Sequence, residues 1–219
     1  MTRYRIVTAL ILALGLSACS SYDLATRNTV AEDSTRATAA PVAMQAISVV
    51  DAKIIVPRSL QVSEANSYYP LGDIVWRGDA FGDRHAQIEA ILGESMALAR
   101  KGHTGSVPAV VEIELERFHA LTEKTRYTVG GVHSIRFNLT LRDPATGAVL
   151  APTREIRADL REYGGARAIE AERQGLTQKV RVTRHLANVL RAELERPGSM
   201  GGNRGITQLV AGLETAAPI

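Results

Sequence analysis

Cysteine is nearly absent from this chain of 219 residues: the single thiol is Cys19, which has no partner for an intramolecular disulfide. No long apolar run is present either. The N-terminal one, Ile6 to Leu14, is about nine residues, whereas crossing a bilayer core of about 30 Å takes roughly 20. A large charge excess is also missing. The formal charge of +3 includes Arg3 and Arg5 and falls to about +1 once residues 1–18 are set aside, so the pI of 9.2 gives no argument for nucleic acid. No GxSxG elbow, HExxH helix or phosphate-cradling glycine loop occurs. Ser, His and Asp are present without an arrangement that orders a triad. The expectation is therefore a protein that is not an enzyme and needs no cofactor. No internal repeat is visible.

What is present begins with an export signal: Arg3 and Arg5 in a basic start, the apolar run, then small residues. Its length marks a signal peptide and not a spanning helix. The run closes on Leu16-Ser17-Ala18-Cys19, and this LSAC string resembles the lipobox of bacterial lipoproteins at every position. The resemblance implies cleavage between Ala18 and Cys19, a diacylglycerol joined to the Cys19 thiol, and acylation of the new amine with a chain such as palmitate. A free cysteine after an ordinary signal is the alternative, but a lone thiol in an oxidising compartment is a liability. Two or more acyl chains, at about 0.8 kcal/mol per buried methylene, give stable anchoring. Ser20 and Ser21 follow with no aspartate after the cysteine. In enteric-type bacteria that pattern resembles the outer-membrane default, with membrane lipid as the first partner and the domain facing the periplasm.

Residues 19–45 comprise the lipidated cysteine and a segment rich in Ala, Thr, Ser, Asp and Arg without a sustained apolar period, which reads as a tether. A flexible chain of about 26 residues has a root-mean-square span of roughly 30 Å. The folded domain is expected over 46–197, and a Gly-rich, loosely held tail over 198–219.

Within the domain, Ile47 to Val56 reads as a strand stopped by Pro57, and Asp73 to Arg77 as a short extended piece. Asp83 is placed to cap a helix over about 84–101, whose Ile88, Ile91, Leu92, Ser95, Met96 and Ala99 fall at three-and-four spacing. Val111, Ile113 and Leu115 alternate with Glu112, Glu114 and Glu116, and Ile135, Phe137, Leu139 and Leu141 alternate with Arg136, Asn138, Thr140 and Arg142. Each pattern describes a strand with one wet face. After the turn at Asp143-Pro144-Ala145-Thr146-Gly147, a third strand is expected from about Val149 to Arg161. One long helix follows from about Ala166 to Arg196, with Leu176, Val180, Thr183, Ala187, Leu190 and Leu194 as its apolar line and Gly175 as a weak point.

These pieces predict an α+β fold: two layers, with a largely antiparallel sheet in β-α-β-β-β-α order packed on two helices. The layout resembles small periplasmic lipoprotein domains found beside envelope transport and assembly machines. Locally, VPRSLQVSE, GDIVWRGD and TRYTVGGVHSIRF, together with the lipobox, are similar to an uncharacterised family of small proteobacterial lipoproteins. That resemblance carries over no activity and no binding residue.

Candidate chemistry is sparse. Pairing Val111 with Leu141 places Arg117 opposite Ile135 and His119 opposite His133, but no spaced Cys, Asp or Glu completes a metal site around the two imidazoles. A bulge at Gly130-Gly131 would also shift that register. Asp73, Asp79 and Asp83 lack calcium-loop spacing and read as caps and turns. Glu112, Glu114 and Glu116 beside Arg136, Arg142, Arg157 and Arg161 read as a solvated face. Tyr68, Tyr69 and Trp76 are the candidates for partner or ligand contact. The expected function is a membrane-anchored envelope lipoprotein acting as an interaction, assembly or transport-accessory module with a protein partner. Binding of a small or lipidic ligand between sheet and helices is the alternative, and hydrolysis a weaker one. Replacing Cys19 by alanine is expected to abolish metabolic labelling with a radioactive fatty acid and to leave the signal uncleaved or aberrantly cleaved. Unchanged labelling and processing would contradict the lipobox.

Overall fold

The computed structural model describes residues 46–197. The expected signal peptide, Ala18/Cys19 cleavage junction, tether and C-terminal tail fall outside the described residues. β-branched residues dominate Ile47–Ile55, which forms β1. The chain then makes β2 (Ile74–Val75), α1 (Arg84–Arg100), β3 (Val107–His119), α2 (Glu123–Arg126), β4 (Gly131–Arg142), β5 (Val149–Arg157), β6 (Leu160–Glu162), α3 (Ala166–Arg173) and α4 (Gln178–Glu195). The fold is α+β. Its six-stranded sheet has the order β1-β3-β4-β5, with β2 beside β3 and β6 beside β4. Antiparallel β3, β4 and β5 form the centre, while β1 and β2 join β3 in parallel.

The first helix forms as its sequence dictates. Asp83 accepts from the Ala86 amide at 3.1 Å, and all six expected stripe residues are buried. Gly102, at φ +69°, lets the chain turn away after the C-cap. The last carbonyls of α1 receive a side chain from α4: Arg191 donates to Leu98 O at 2.7 Å and to Lys101 O at 3.3 Å. At the other end Lys179 meets Asp79 at 2.9 Å, so α1 and α4 run side by side in the same direction. Val182, Leu186, Val189 and Leu190 of α4 join Ile88, Ile91, Leu92 and Met96 of α1 against the apolar row of the sheet.

Three features differ from the sequence expectation. The third strand is two, because the Asp159 carboxylate accepts from the Ile135 amide at 3.1 Å, taking the place of a backbone carbonyl, and the chain re-pairs as β6. The long helix is also two. Leu176 N bonds to Ala171 O and Gly175 N to Glu172 O, each at 2.8 Å, which closes α3 as a Schellman motif around Gly175 at φ +77°. Thr177 then caps α4 by accepting from Val180 N at 3.3 Å. With the one-turn α2, four helices replace the expected two. The buried face of α4 is shifted from the expected line: Val180 is only half-buried, Leu176 lies ahead of the helix and is half-buried too, while Val182, Leu186 and Val189 are buried and Glu193 is enclosed as the partner of Arg154 at 2.8 Å.

The third difference lies in β3. Val111, Ile113 and Leu115 oppose Leu141, Leu139 and Phe137 as expected, but the register then slips, so that Arg117 faces Arg136, Phe118 faces Ile135 and His119 faces Ser134. Glu116 is the extra residue of a bulge. Phe118 therefore turns inward and meets Trp76 edge-on at 5.6 Å, while His119 turns to the other face. No helix among the described residues is long and apolar enough to cross a membrane. Truncating Phe118 to alanine is expected to cost about 3–5 kcal/mol, whereas Arg117→Ala, at a half-buried position on the other face whose side chain bonds only the Tyr69 hydroxyl, costs about 1 kcal/mol. Urea unfolding followed by circular dichroism checks this, and the reverse order would restore the unbulged register.

Candidate functional site

The loop between β1 and β2 has little regular structure, yet its backbone groups are taken up one by one. Gln61 O accepts from the amides of Asp73 and Ile74 at 2.8 and 3.0 Å, and Gln61 N donates to the Asp73 carboxylate at 2.9 Å. Further along, four loop carbonyls accept from side chains of other segments. Arg77 donates to Glu64 O at 2.8 Å, Thr122 to Ser67 O at 2.7 Å, Thr125 to Tyr68 O at 3.0 Å and His119 Nε2 to Pro70 O at 2.9 Å. The Glu64 side chain is gripped by Arg84 at 2.6 and 3.0 Å. Its carboxyl stays below the ordinary range, chiefly through the Arg84 hydrogen bond.

This pinned loop presents Tyr68 and Tyr69 at the far end of β3. The Tyr69 ring stacks on His119 at 4.6 Å between centroids, and its hydroxyl accepts from Arg117 at 3.0 Å. Lys124 Nζ lies 4.7 Å from the centre of the Tyr68 ring. Tyr69 remains 69% exposed and Leu71 87%, so the loop offers rings and an aliphatic side chain to solvent. A carbonyl oxygen can only accept, so His119 carries its proton on Nε2. Burial holds its pKa below the ordinary 6.5, against the opposing bond to Pro70. Phe81, ahead of α1, is exposed at the same end of the sheet, as are Tyr127 and Val129 between β3 and β4.

Trp76, grouped with the two tyrosines in the sequence, belongs elsewhere. It is fully buried, and its Nε1 donates to Asp79 at 2.9 Å, so it is a core residue and not a contact surface. Asp79 in turn binds Lys179. Burial alone would raise its pKa, but the bonds from Lys179 and Trp76 outweigh that and lower it. Asp73 and Asp83 act on backbone amides as turn and cap.

His133 does not face His119. Leu121 N donates to its Nδ1 at 3.1 Å, which leaves the proton on Nε2 to be donated to Glu162 at 3.2 Å. Glu162 also accepts from Arg181 Nε at 2.9 Å and from the Tyr163 amide at 2.8 Å. Burial pushes the carboxyl upward, but these three donors win and hold it at about 2. The imidazole itself is kept neutral mainly by burial. The expected bulge at Gly130-Gly131 does not form, since Gly131 opens β4 in unbroken register with Glu162; Gly130 and Gly164 have another role. They let two backbones cross: a Cβ on Gly164 would lie 2.3 Å from Gly130 N, and Gly130 sits at φ +70°. Sequence reading missed Glu162 and Arg181, although burial of Glu162 continues the inward positions of Ala158 and Leu160.

The wet face carries the expected cross-strand pairs: Glu112 meets Lys53 at 3.3 Å and Arg142 at 3.2 Å, and Glu116 accepts from Asn138 at 2.8 Å. Arg157 bonds Glu155 of its own strand at 2.6 Å. No group of three or more His, Cys, Asp or Glu suited to hold a metal ion occurs among the described residues. A concavity between β1 and α1, lined by Ile54, Met96 and Arg100 among others, measures about 180 Å³. A more open one between α1 and α4, lined by Leu98, Arg184 and Arg191 among others, measures about 340 Å³, and ligand sites usually span about 300–1,000 Å³.

The model of a family of unknown function, DUF6778, matches residues 47–208, which takes in every strand and helix described here. Among solved structures, a candidate lipoprotein from Caulobacter crescentus is 16% identical, with 49% of this chain and 80% of that chain covered and a TM-score of 0.25. A DUF330 protein from Xanthomonas campestris is 14% identical, with 81% and 94% covered and a TM-score of 0.37. At these scores neither likeness carries an argument about fold or function. No curated protein matches the chain.

The buried network sets the response to acid. His119, His133 and His185 are held below 6.5 by burial, so the unfolded chain binds their protons first, and stability is full above about pH 6.5 and declines as pH falls through it. A second decline follows between about 4.5 and about 2, as Glu162 protonates in the unfolded and then the folded chain. Replacing Glu162 by glutamine is expected to cost about 3–5 kcal/mol at pH 7, as breaking a buried pair does, and to shrink the second decline, leaving the part that Glu64 and Asp79 contribute. Urea midpoints measured across pH decide this.

Proposed function

The chain belongs to the DUF6778 family, a family of unknown function, and because membership brings no activity, we propose from its own residues that it is a bacterial envelope lipoprotein working as a non-catalytic interaction or assembly module. In this reading lipid on Cys19 holds it to the outer membrane, and the domain works in the periplasm. One observation carries the proposal. Every exposed aromatic side chain among the described residues, Tyr68, Tyr69, Phe81 and Tyr127, lies at the end of the sheet where β3 terminates.

The preceding chain joins the domain at the other end. There Ala46 O accepts from Ser106 N at 3.0 Å, and Ile47 O from the His103 ring at 2.8 Å. At about 3.3 Å per residue, the thirteen residues of β3 separate the two ends by roughly 40 Å. An anchor attached through Ala46 would leave the aromatic end as the part of the domain farthest from its own point of attachment. Exposed aromatics on a rigid loop are the side chains that anchor protein interfaces.

The test is a photo-crosslinking residue placed at position 71 of the full-length lipoprotein in cells. A discrete crosslinked species is expected from Leu71 and not from Glu94 on the outer side of α1. The same species from both positions, or none from Leu71, would remove the docking end.

A further inference from the structure

Beyond the bulge, three arginines form a row across the open face of the sheet. Arg117 of β3 stands opposite Arg136 of β4, and Arg136 stands opposite Arg157 of β5. Neighbouring strands are only about 4.8 Å apart, and like charges directly across a ladder repel. Arg157 is matched by Glu155. Arg117 and Arg136 form no ion pair among the described residues: Arg117 donates only to the Tyr69 hydroxyl, and Arg136 Nε is enclosed without a hydrogen-bond partner.

Three acids stand beside this row, each with a hydrogen-bond donor of its own, and Glu155 also attracts Arg136. Glu116 accepts from Asn138, Glu155 from Arg157, and Asp159 from the Ile135 amide. Glu114, one pair further along opposite Asn138, is turned to solvent. Cations also border the exposed rings, with Arg117 on Tyr69 and Lys124 on Tyr68. The free protein thus holds two adjacent guanidinium groups, with no close ion pair of their own among the described residues, beside apolar surface.

Resting on the docking end proposed above, we infer that the partner presents an acidic and apolar segment of polypeptide, with its carboxylates set on Arg117 and Arg136 and an aromatic or aliphatic side chain against Tyr69 and Leu71. A planar guanidinium matches a carboxylate in bidentate geometry. Carboxylates brought here would relieve the repulsion between the two arginines, so the arrangement favours the bound state. A bilayer is the other polyanion in reach of an anchored domain, but the row stands beside exposed rings and an aliphatic side chain on a pinned loop, a mixture that suits a polypeptide segment.

The probe is a short peptide alternating glutamate with leucine and phenylalanine, with its lysine-substituted counterpart as control. Each is titrated by amide-resolved NMR into the mature chain bearing Cys19→Ser. The acidic peptide is expected to shift amides confined to residues 68–71, Arg117 and Arg136, and the lysine peptide to leave them in place. Arg117→Gln and Arg136→Gln, shown to be folded by urea unfolding, should each weaken the acidic peptide about tenfold, as loss of a charged hydrogen bond does. Arg184→Gln on α4 should not. Equal binding of both peptides, shifts centred on α4, or displacement of the peptide by vesicles of phosphatidylcholine and phosphatidylglycerol would overturn the inference. In cells, a crosslink from Leu71 that survives Arg117→Gln/Arg136→Gln undiminished would overturn the acidic chemistry and leave the docking end standing. Absence of that crosslink in the otherwise unaltered protein would overturn the docking end itself.

Discussion

An antiparallel ladder can take in one extra residue only by turning the strand, and in β3 that residue is Glu116. Continued alternation from Leu115 would have put Arg117 and His119 against the helices and Phe118 in water. Burying an unpaired guanidinium costs several kcal/mol, and exposing a phenylalanine forfeits about 1.5–3 kcal/mol, so the bulge is the cheaper arrangement. Its position decides the rest of that end of the sheet. Phe118 closes the core on Trp76, His119 becomes the base on which Tyr69 stacks, and Arg117 comes to stand against Arg136.

The loop that carries Tyr68 and Tyr69 depends on the bulge in turn, because His119 reaches Pro70 only from the open face. Together with Arg77, Thr122 and Thr125 it satisfies loop carbonyls that no ladder or helix reaches. Holding the loop in this way fixes its aromatic rings before any partner arrives. Immobilising a side chain on binding costs about 0.5–1.5 kcal/mol, and that part of the cost is already met in the folded protein.

Glu162 gives the opposite edge of this end its order. One carboxylate collects His133 of β4, Arg181 of α4 and the amide of Tyr163, tying sheet and helix layer together where the backbones of Gly130 and Gly164 cross. Such a buried ion pair adds little over a packed apolar cluster. Its directional bonds do define how β6 and α4 meet β4, which apolar contacts alone would leave loose.

The sequence alone was enough for much that acts over a few residues, although the Thr177 cap and the one-turn α2 were missed. The expected export signal and its Cys19 are a linear pattern, which needs no fold to be read. The Asp83 cap, the α1 stripe, the alternation through Leu115 and the weak point at Gly175 all followed from spacing, because capping and periodic burial are local. Even the bulge left a trace, since Leu115 and Phe118 are apolar three positions apart where alternation demands two. Tertiary structure alone decided where that phase slip was absorbed, that Trp76 is core while Tyr69 is surface, that Glu162 meets His133, and that Arg117 and Arg136 stand side by side. Each of these rests on a partner tens of residues away or on another strand. Whether a side chain ends in water or in the core is set by which distant group satisfies its charge or its hydrogen bond, and one-dimensional spacing carries no record of that partner.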